Sequence, residues 1–386
     1  MSKKKSEIGA EKRLSLAKKT ITQTLRERKF LVGIFLLALV PLSWFRPWDT
    51  LITGGDFWIP ISPQNFLKMI SSPWSANISC GQVSNATFEI LPWVGFWALF
   101  KSLGLSLSDI EKIWFVSLFL LGGLSMYLLT REVFEDKRES WKNFLPVVLY
   151  AFNVYSILAG VVTTNLLVYS LLPLLLLLYI RGGKSPSPLK SALILALASV
   201  FLTSAVGNPP IYTIPFLFFF VYFIFLFLSK RLTRSFLKFN LLFASFYLLF
   251  NSWWLFFYVK NLTHQIGQIK AVTDAAAVGP GSNFFDVVRL LGSWAFFAGH
   301  QGAPYFPFAQ SYLNPFLMFL TFAVPALAFA GIFFRPPSPR PLINFFALSA
   351  LVGIFLSHGQ GTDFLGRINT FFKETIPFFW IYREPF

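Results

Sequence analysis

Apolar stretches separated by short polar or basic connections recur along the chain, at 30–46, 112–130, 143–163, 165–180, 190–206, 210–228, 239–258, 315–334 and 341–357. Each is about 16–21 residues long and none alternates strictly, so each predicts a helix able to cross ~30 Å of hydrocarbon, not a barrel strand. The pattern therefore predicts an all-α, polytopic transmembrane helical bundle of about nine spans. A further apolar segment, Glu89–Leu105, carries Pro92, Trp93, Phe96, Trp97 and Phe100 and stops at Lys101-Ser-Leu-Gly. Counting it as a span would turn the charged run from Arg131 outward, so it is expected to lie in the headgroup plane of the outer face.

Composition agrees with this pattern: 386 residues that are 55% hydrophobic and only 13% charged cannot hide that much apolar surface in a water-soluble core. The formal charge of +16 would by itself suit a nucleic-acid partner. Its distribution excludes one. With the N-terminus in the cytoplasm, segments 1–29, 131–142, 181–189, 229–238 and 335–340, with Lys190, hold 23 of the 33 Lys and Arg residues. That bias is the signature of cytoplasmic loops. The first 29 residues form a basic cytoplasmic tail, too long and polar for a signal peptide, and Arg46-Pro47-Trp48 offers no small-residue cleavage site. An integral protein of a bacterial or archaeal plasma membrane is expected, with a single transmembrane domain over 30–386 and outer loops at 47–111, 259–314 and 357–386. The lone Cys80 excludes an internal disulfide. The ending, Trp380 to Phe386, has neither a helix stop nor a polar tail and suggests a truncated chain.

Long loops carry function more often than short ones. The first holds Trp48-Asp49-Thr-Leu-Ile-Thr-Gly-Gly-Asp56-Phe-Trp58-Ile-Pro60, two carboxylates among aromatics at a membrane surface. All 17 Asp and Glu residues avoid the apolar stretches, and no internal repeat is evident. Both points argue against an ion-coupled carrier. No Walker loop and no Gly-x-Gly-x-x-Gly after a strand is present, so nothing points to nucleotide chemistry. His300 and His358 have no Cys or acid at ligand spacing, which argues against zinc.

A basic N-terminus, one span, an outer loop with an Asp, a proline-containing interfacial helix and a Gly-Leu-Ser-Leu-Ser turn into the next span together resemble the GT-C glycosyltransferase superfamily. The tail Ile376-Pro-Phe-Phe-Trp-Ile-Tyr-Arg383-Glu384-Pro385 resembles the Arg-Glu-Pro outer-loop motif of YfhO-like and arabinofuranosyltransferase AftD-like membrane proteins. Thr164-Asn165 to Pro173 is similar to their fourth-span segment. The resemblance implies transfer of a sugar from a polyprenyl-phosphate donor to a glycan or lipid acceptor on the outer face. It maps the catalytic acid to Asp56, with Asp49 as the alternate. Many relatives set two adjacent acids there, whereas six residues separate these two, and the relatives continue with more helices after Arg-Glu-Pro.

That chemistry needs one base for the acceptor hydroxyl and cations to hold the leaving phosphate. The outer inventory supplies Asp49 and Asp56, then Lys270, Arg289, His300, Arg367 and Arg383 as substrate-binding candidates, with Trp58 placed to stack on a sugar or isoprenoid. Arg383 is the phosphate-clamp candidate because a guanidinium matches phosphate oxygens bidentately. Partners are the lipid-linked donor, the acceptor and membrane lipids. No cofactor is named, and a divalent metal is left open. The competing class is a lipid or polysaccharide transporter, or a non-catalytic membrane subunit of envelope assembly.

Overall fold

A computed structural model describes residues 28–53, 59–72, 74–75, 82–83, 90–136, 140–159, 163–260, 284–291, 299–300, 303–304, 307–333, 341–358, 363–376 and 379–382. Helices dominate. α1 (Lys29–Ala38) continues as a 3-10 turn over Val40–Trp44, and α2 (Pro63–Ile70) and α3 (Leu91–Ser102) follow. Next come α4 (Leu107–Val133), α5 (Trp141–Ala151), α6 (Val154–Ala159), α7 (Thr163–Lys184), and α8 (Pro188–Ser199) with its 3-10 extension Val200–Ala205. The remainder comprises α9 (Pro209–Leu228), α10 (Arg234–Lys260), α11 (Phe284–Val288), a 3-10 segment Pro307–Leu313, α12 (Pro315–Phe333), α13 (Pro341–His358), α14 (Phe364–Thr375) and a 3-10 turn Phe379–Tyr382. Two antiparallel two-residue ladders pair β1 (Trp74–Ser75) with β2 (Gln82–Val83) and β3 (Gly299–His300) with β4 (Ala303–Pro304).

Among the described residues, seven helical stretches are long and apolar enough to cross a membrane: α4, α7, α8 with its extension, α9, α10, α12 and α13. The other two expected spans differ from the sequence pattern. Pro41 tightens the end of the first into a 3-10 turn, so Lys29–Trp44 is short for a full crossing. The third, expected over 143–163, is interrupted at Phe152-Asn153. Asn153 both ends α5 and starts α6. Its Nδ2 donates to the Leu149 and Tyr150 carbonyls, each at 3.0 Å, while its Oδ1 accepts from the Ser156 amide at 3.0 Å. Ser156 Oγ in return accepts from the Asn153 amide at 3.1 Å. This reciprocal cap satisfies the freed backbone groups inside the protein, which is the condition for breaking a helix away from water. The expected interfacial segment is α3, whose 12 residues span about 18 Å at 1.5 Å per residue, less than the hydrocarbon core. Its Trp93, Val94 and Trp97 are buried, so it is wedged into the bundle.

α7 lies at the centre, with Leu175 and Ile180 fully buried, and packs on α4, α8, α9 and α10. Small residues let these helices approach, as expected where lipid supplies no hydrophobic drive between apolar helices. A Cβ on Gly122 of α4 would sit 3.4 Å from the Ser170 Cα of α7. On Gly182 and Gly183 it would fall within 2.4 Å of the Phe239 ring and 2.2 Å of the Phe236 ring of α10.

The helices alternate in direction and give the bundle two chemically distinct ends. One end carries residues 45–53, α2, α3, the N-termini of α4 and α9, the C-terminus of α13, α14 and the Phe379–Tyr382 turn. We call it the loop end. The opposite end carries the C-termini of α4, α7 and α9 and the N-termini of α10 and α13, and there Arg181 and Lys184 meet Glu132 at 2.9 and 3.2 Å.

Candidate functional site

The loop end is organised by the first turns of α4. Ser106 caps that helix: its Oγ accepts from the Asp109 amide at 3.1 Å and donates to Asp109 Oδ2 at 2.6 Å. The cap starts the helix at Leu107, ahead of the apolar run, and so places Ser108, Glu111 and Lys112 on one helical face. All three are buried, at 6%, 0% and 5% exposure. That face grips the chain leaving the first apolar segment. Ser108 Oγ donates to the Thr50 carbonyl at 2.7 Å, and the Ile52 amide donates to Glu111 Oε2 at 3.0 Å. The Lys112 ammonium lies over the Trp48 ring, 4.2 Å from its centroid, and 5.4 Å from that of Phe45. It is also 3.5 Å from Asp109 Oδ1. Glu111 Oε1 has no hydrogen-bond partner among the described residues.

Asp49 sits in a turn closed by the Thr50 amide and hydroxyl, which donate to the Pro47 carbonyl at 3.1 and 2.6 Å. Its neighbours on both sides are held by α4, and Asp49 itself is exposed. Beyond the loop the chain is fixed again: Pro60 is buried and Ile59 packs on the main core. Asp56, Trp58, Lys270 and Arg383 lie outside the described residues, and of His300 only the backbone is described, in β3.

The remaining candidates occupy separate places. Arg289, just past α11, is 4% exposed, and its guanidinium is engaged inside the protein. Nε donates to Thr321 Oγ1 at 2.9 Å, one terminal nitrogen donates to the Tyr312 carbonyl, and another is 3.5 Å from Asp286 Oδ1. These contacts, with Phe322 beneath the group at 5.2 Å, tie α11 to α12. Arg367 is exposed on the first turn of α14. Asp363 caps α14 by accepting from the Gly366 amide at 2.8 Å, and its other oxygen pairs with buried His358 Nε2 at 2.8 Å. The Gly366 amide, supported by His358, holds the Asp363 carboxyl below the usual carboxylate range. Among the described residues no three His, Cys, Asp or Glu side chains are grouped to hold a metal ion.

At the same end an apolar slot of about 90 Å³ opens between α9 and α13, lined by Pro210, Ile214, Val352, Leu356 and Tyr382. The Tyr382 and Thr213 hydroxyls are 2.7 Å apart, which fixes the last described turn against the start of α9.

Sequence reasoning missed Ser108, Glu111 and Lys112. The signal was present in Ser106-x-x-Asp109, a cap motif that begins a helix before its apolar run does. Extending the second span back from Lys112 to residue 107 would have drawn Ser108 and Glu111 onto the same buried face as Lys112. Residues 42–376 match a family model described as the N-terminal GT-C domain of alpha-(1->3)-arabinofuranosyltransferase. No curated protein and no solved structure matches the chain.

Proposed function

We propose, from the premise that the chain belongs to this arabinofuranosyltransferase N-terminal GT-C domain family, that it moves a sugar from a polyprenyl-phosphate donor to a glycan or lipid acceptor at the outer membrane face. As a member of that family it is a membrane glycosyltransferase. The observation that carries the finer reading is the clamp on the first loop: Thr50 and Ile52 are fixed to the buried face of α4. A base acts only if its position is set before the acceptor arrives, and a loop attached to a rigid helix supplies that.

In this reading a carboxylate of the first loop, Asp56 or its alternate Asp49, takes the proton of the acceptor hydroxyl as that oxygen attacks the anomeric carbon. The bond to the phosphate breaks, and the leaving phosphate keeps the electron pair as an anion. Cations from the other loops, Arg383 first, neutralise it. The apolar slot lined by Tyr382 supports an isoprenoid tail entering at this end of the bundle. Charge supports the orientation in this reading: the loops of the Glu132–Lys184 end carry most of the basic residues, which favours the cytoplasm for that end and the outer face for the clamped loop.

The test is transfer from a radiolabelled polyprenyl-phosphate sugar by membranes containing Asp56→Asn or Asp49→Asn. Loss of the base should lower turnover by ~10²–10⁴ in one of the two. Near-normal turnover in both would remove the first loop from the chemistry.

A further inference from the structure

A second cavity, of about 430 Å³, lies at the opposite end of the bundle, where α7 and α9 finish and α10 and α13 begin. Its form follows from how the chain turns there. α9 ends with Lys230 in the left-handed conformation, φ 54°, while the Lys230 and Arg231 amides donate to the Phe227 and Leu226 carbonyls at 3.0 and 2.9 Å. This closing motif reverses the chain within a few residues and delivers Arg231 to the mouth of the cavity. α10 then starts with Thr233 Oγ1 accepting from the Phe236 amide at 3.2 Å. The first-turn amides of Arg234 and Ser235 have no acceptor within the helix, as at any helix start.

The cavity is amphiphilic. Its floor is Phe225, Leu226, Phe236 and Leu342, while Lys184, Arg231 and Ser235 stand at its rim with the N-terminus of the 27-residue α10. Glu132 meets this group from α4 and is shared between Arg181 and Lys184. Among the described residues, Arg181, Lys184 and Arg231 thus set three positive charges around Glu132. Gly183 lets the Phe236 ring close against α7 at the edge of the cavity, because any Cβ there would meet that ring.

We propose that this cavity binds one anionic phospholipid, with the phosphate between Lys184, Arg231 and the start of α10 and an acyl chain along the apolar floor. Position favours a lipid over a soluble anion: the cavity lies at the ends of helices long and apolar enough to cross a membrane, where headgroups would meet the rim and acyl chains the apolar lining. A basic pocket between helices at the cytoplasmic side is the physical form such recognition takes, and a helix N-terminus adds partial positive charge to it. The proposal rests on the orientation given above and not on the transferase chemistry.

Native mass spectrometry of the purified full chain tests it, with phosphatidylglycerol and phosphatidylcholine of identical acyl chains. The chain should retain one phosphatidylglycerol where phosphatidylcholine leaves none bound. Arg231→Glu should lower the phosphatidylglycerol-bound fraction at least about tenfold. Lys190→Glu, at the same end but off the cavity, should leave it unchanged. If Arg231→Glu does not fold, Arg231→Gln serves in its place, with about a threefold loss expected. Equal retention of the two lipids, equal loss in Lys190→Glu, or no loss in either Arg231 variant would overturn the proposal. So would displacement of the lipid by millimolar glycerol phosphate, which would mark a site for a small anion only.

Discussion

Glu111, fully buried in the second turn of α4, receives the Ile52 amide at 3.0 Å across 59 residues of sequence. One carboxylate oxygen thereby sets the position of the first loop relative to the bundle. Glu111→Ala removes the acceptor and leaves a half-buried amide unpaired, a cost of about 1–3 kcal/mol. Glu111→Gln keeps an oxygen in place and should cost less. Hydrogen exchange over residues 48–53 reads the difference: the alanine variant should lose protection there and the glutamine variant keep most of it. Unchanged exchange in Glu111→Ala would mean that Ser108 alone holds the loop.

The Asp363 cap predicts an acid sensitivity local to α14. Its folded carboxyl is held low, chiefly by the Gly366 amide, so its contribution is complete above the ordinary carboxylate pKa and is lost as pH falls through the depressed folded value. Fraying of 363–375, followed by hydrogen exchange between pH 6 and pH 3, should therefore begin only below about pH 4. In Asp363→Ala the fraying should be present at pH 6 already, since loss of a helix cap costs about 1 kcal/mol. The same onset pH in both proteins would mean that the cap is not the controlling group.

Sidedness can be read with an impermeant thiol reagent on intact cells, after replacing Cys80. A cysteine at exposed Ser62, beside α2, should react, and one at exposed Ser229, after α9, should not. The opposite labelling pattern would place the clamped loop in the cytoplasm.

Close approach of α7 and α10 predicts a steep steric penalty. Gly182→Ala puts a methyl within 2.4 Å of the Phe239 ring, and Phe239 is fully buried with nowhere to move. Overpacking of this kind costs about 1–3 kcal/mol. A lowered thermal midpoint in detergent should show it, while Gly353→Ala, whose Cβ meets nothing within 4 Å, should leave the midpoint unchanged.

What could be read from the sequence was governed by length scale. Seven of the expected spans are helices because a run of about 20 apolar residues has one stable solution in hydrocarbon. The break at Asn153 was invisible in the apolar pattern, since it depends on Asn153 and Ser156 capping each other, which two polar residues in an apolar run do not announce. The buried face of α4 was hidden for a related reason: a span drawn by hydropathy begins after Glu111, whereas the helix is begun by Ser106 and Asp109. Arg289, expected as an outer cation for substrate, spends its donors on Thr321 and Tyr312, contacts between residues far apart in sequence that no local pattern reveals.

α12 differs from the other crossing helices in that none of its residues is buried. Apart from Thr321 and Phe322, which hold Arg289, its side chains are shaped more by hydrocarbon than by neighbours among the described residues. Exchanges among Leu, Phe, Val and Ala along Val324–Phe333 should be silent, yet one lysine at Ala326 would raise the cost of insertion by about 2.5–3.5 kcal/mol. A tolerance map of this helix would therefore chart the bilayer itself, marking by which substitutions survive where oil gives way to water.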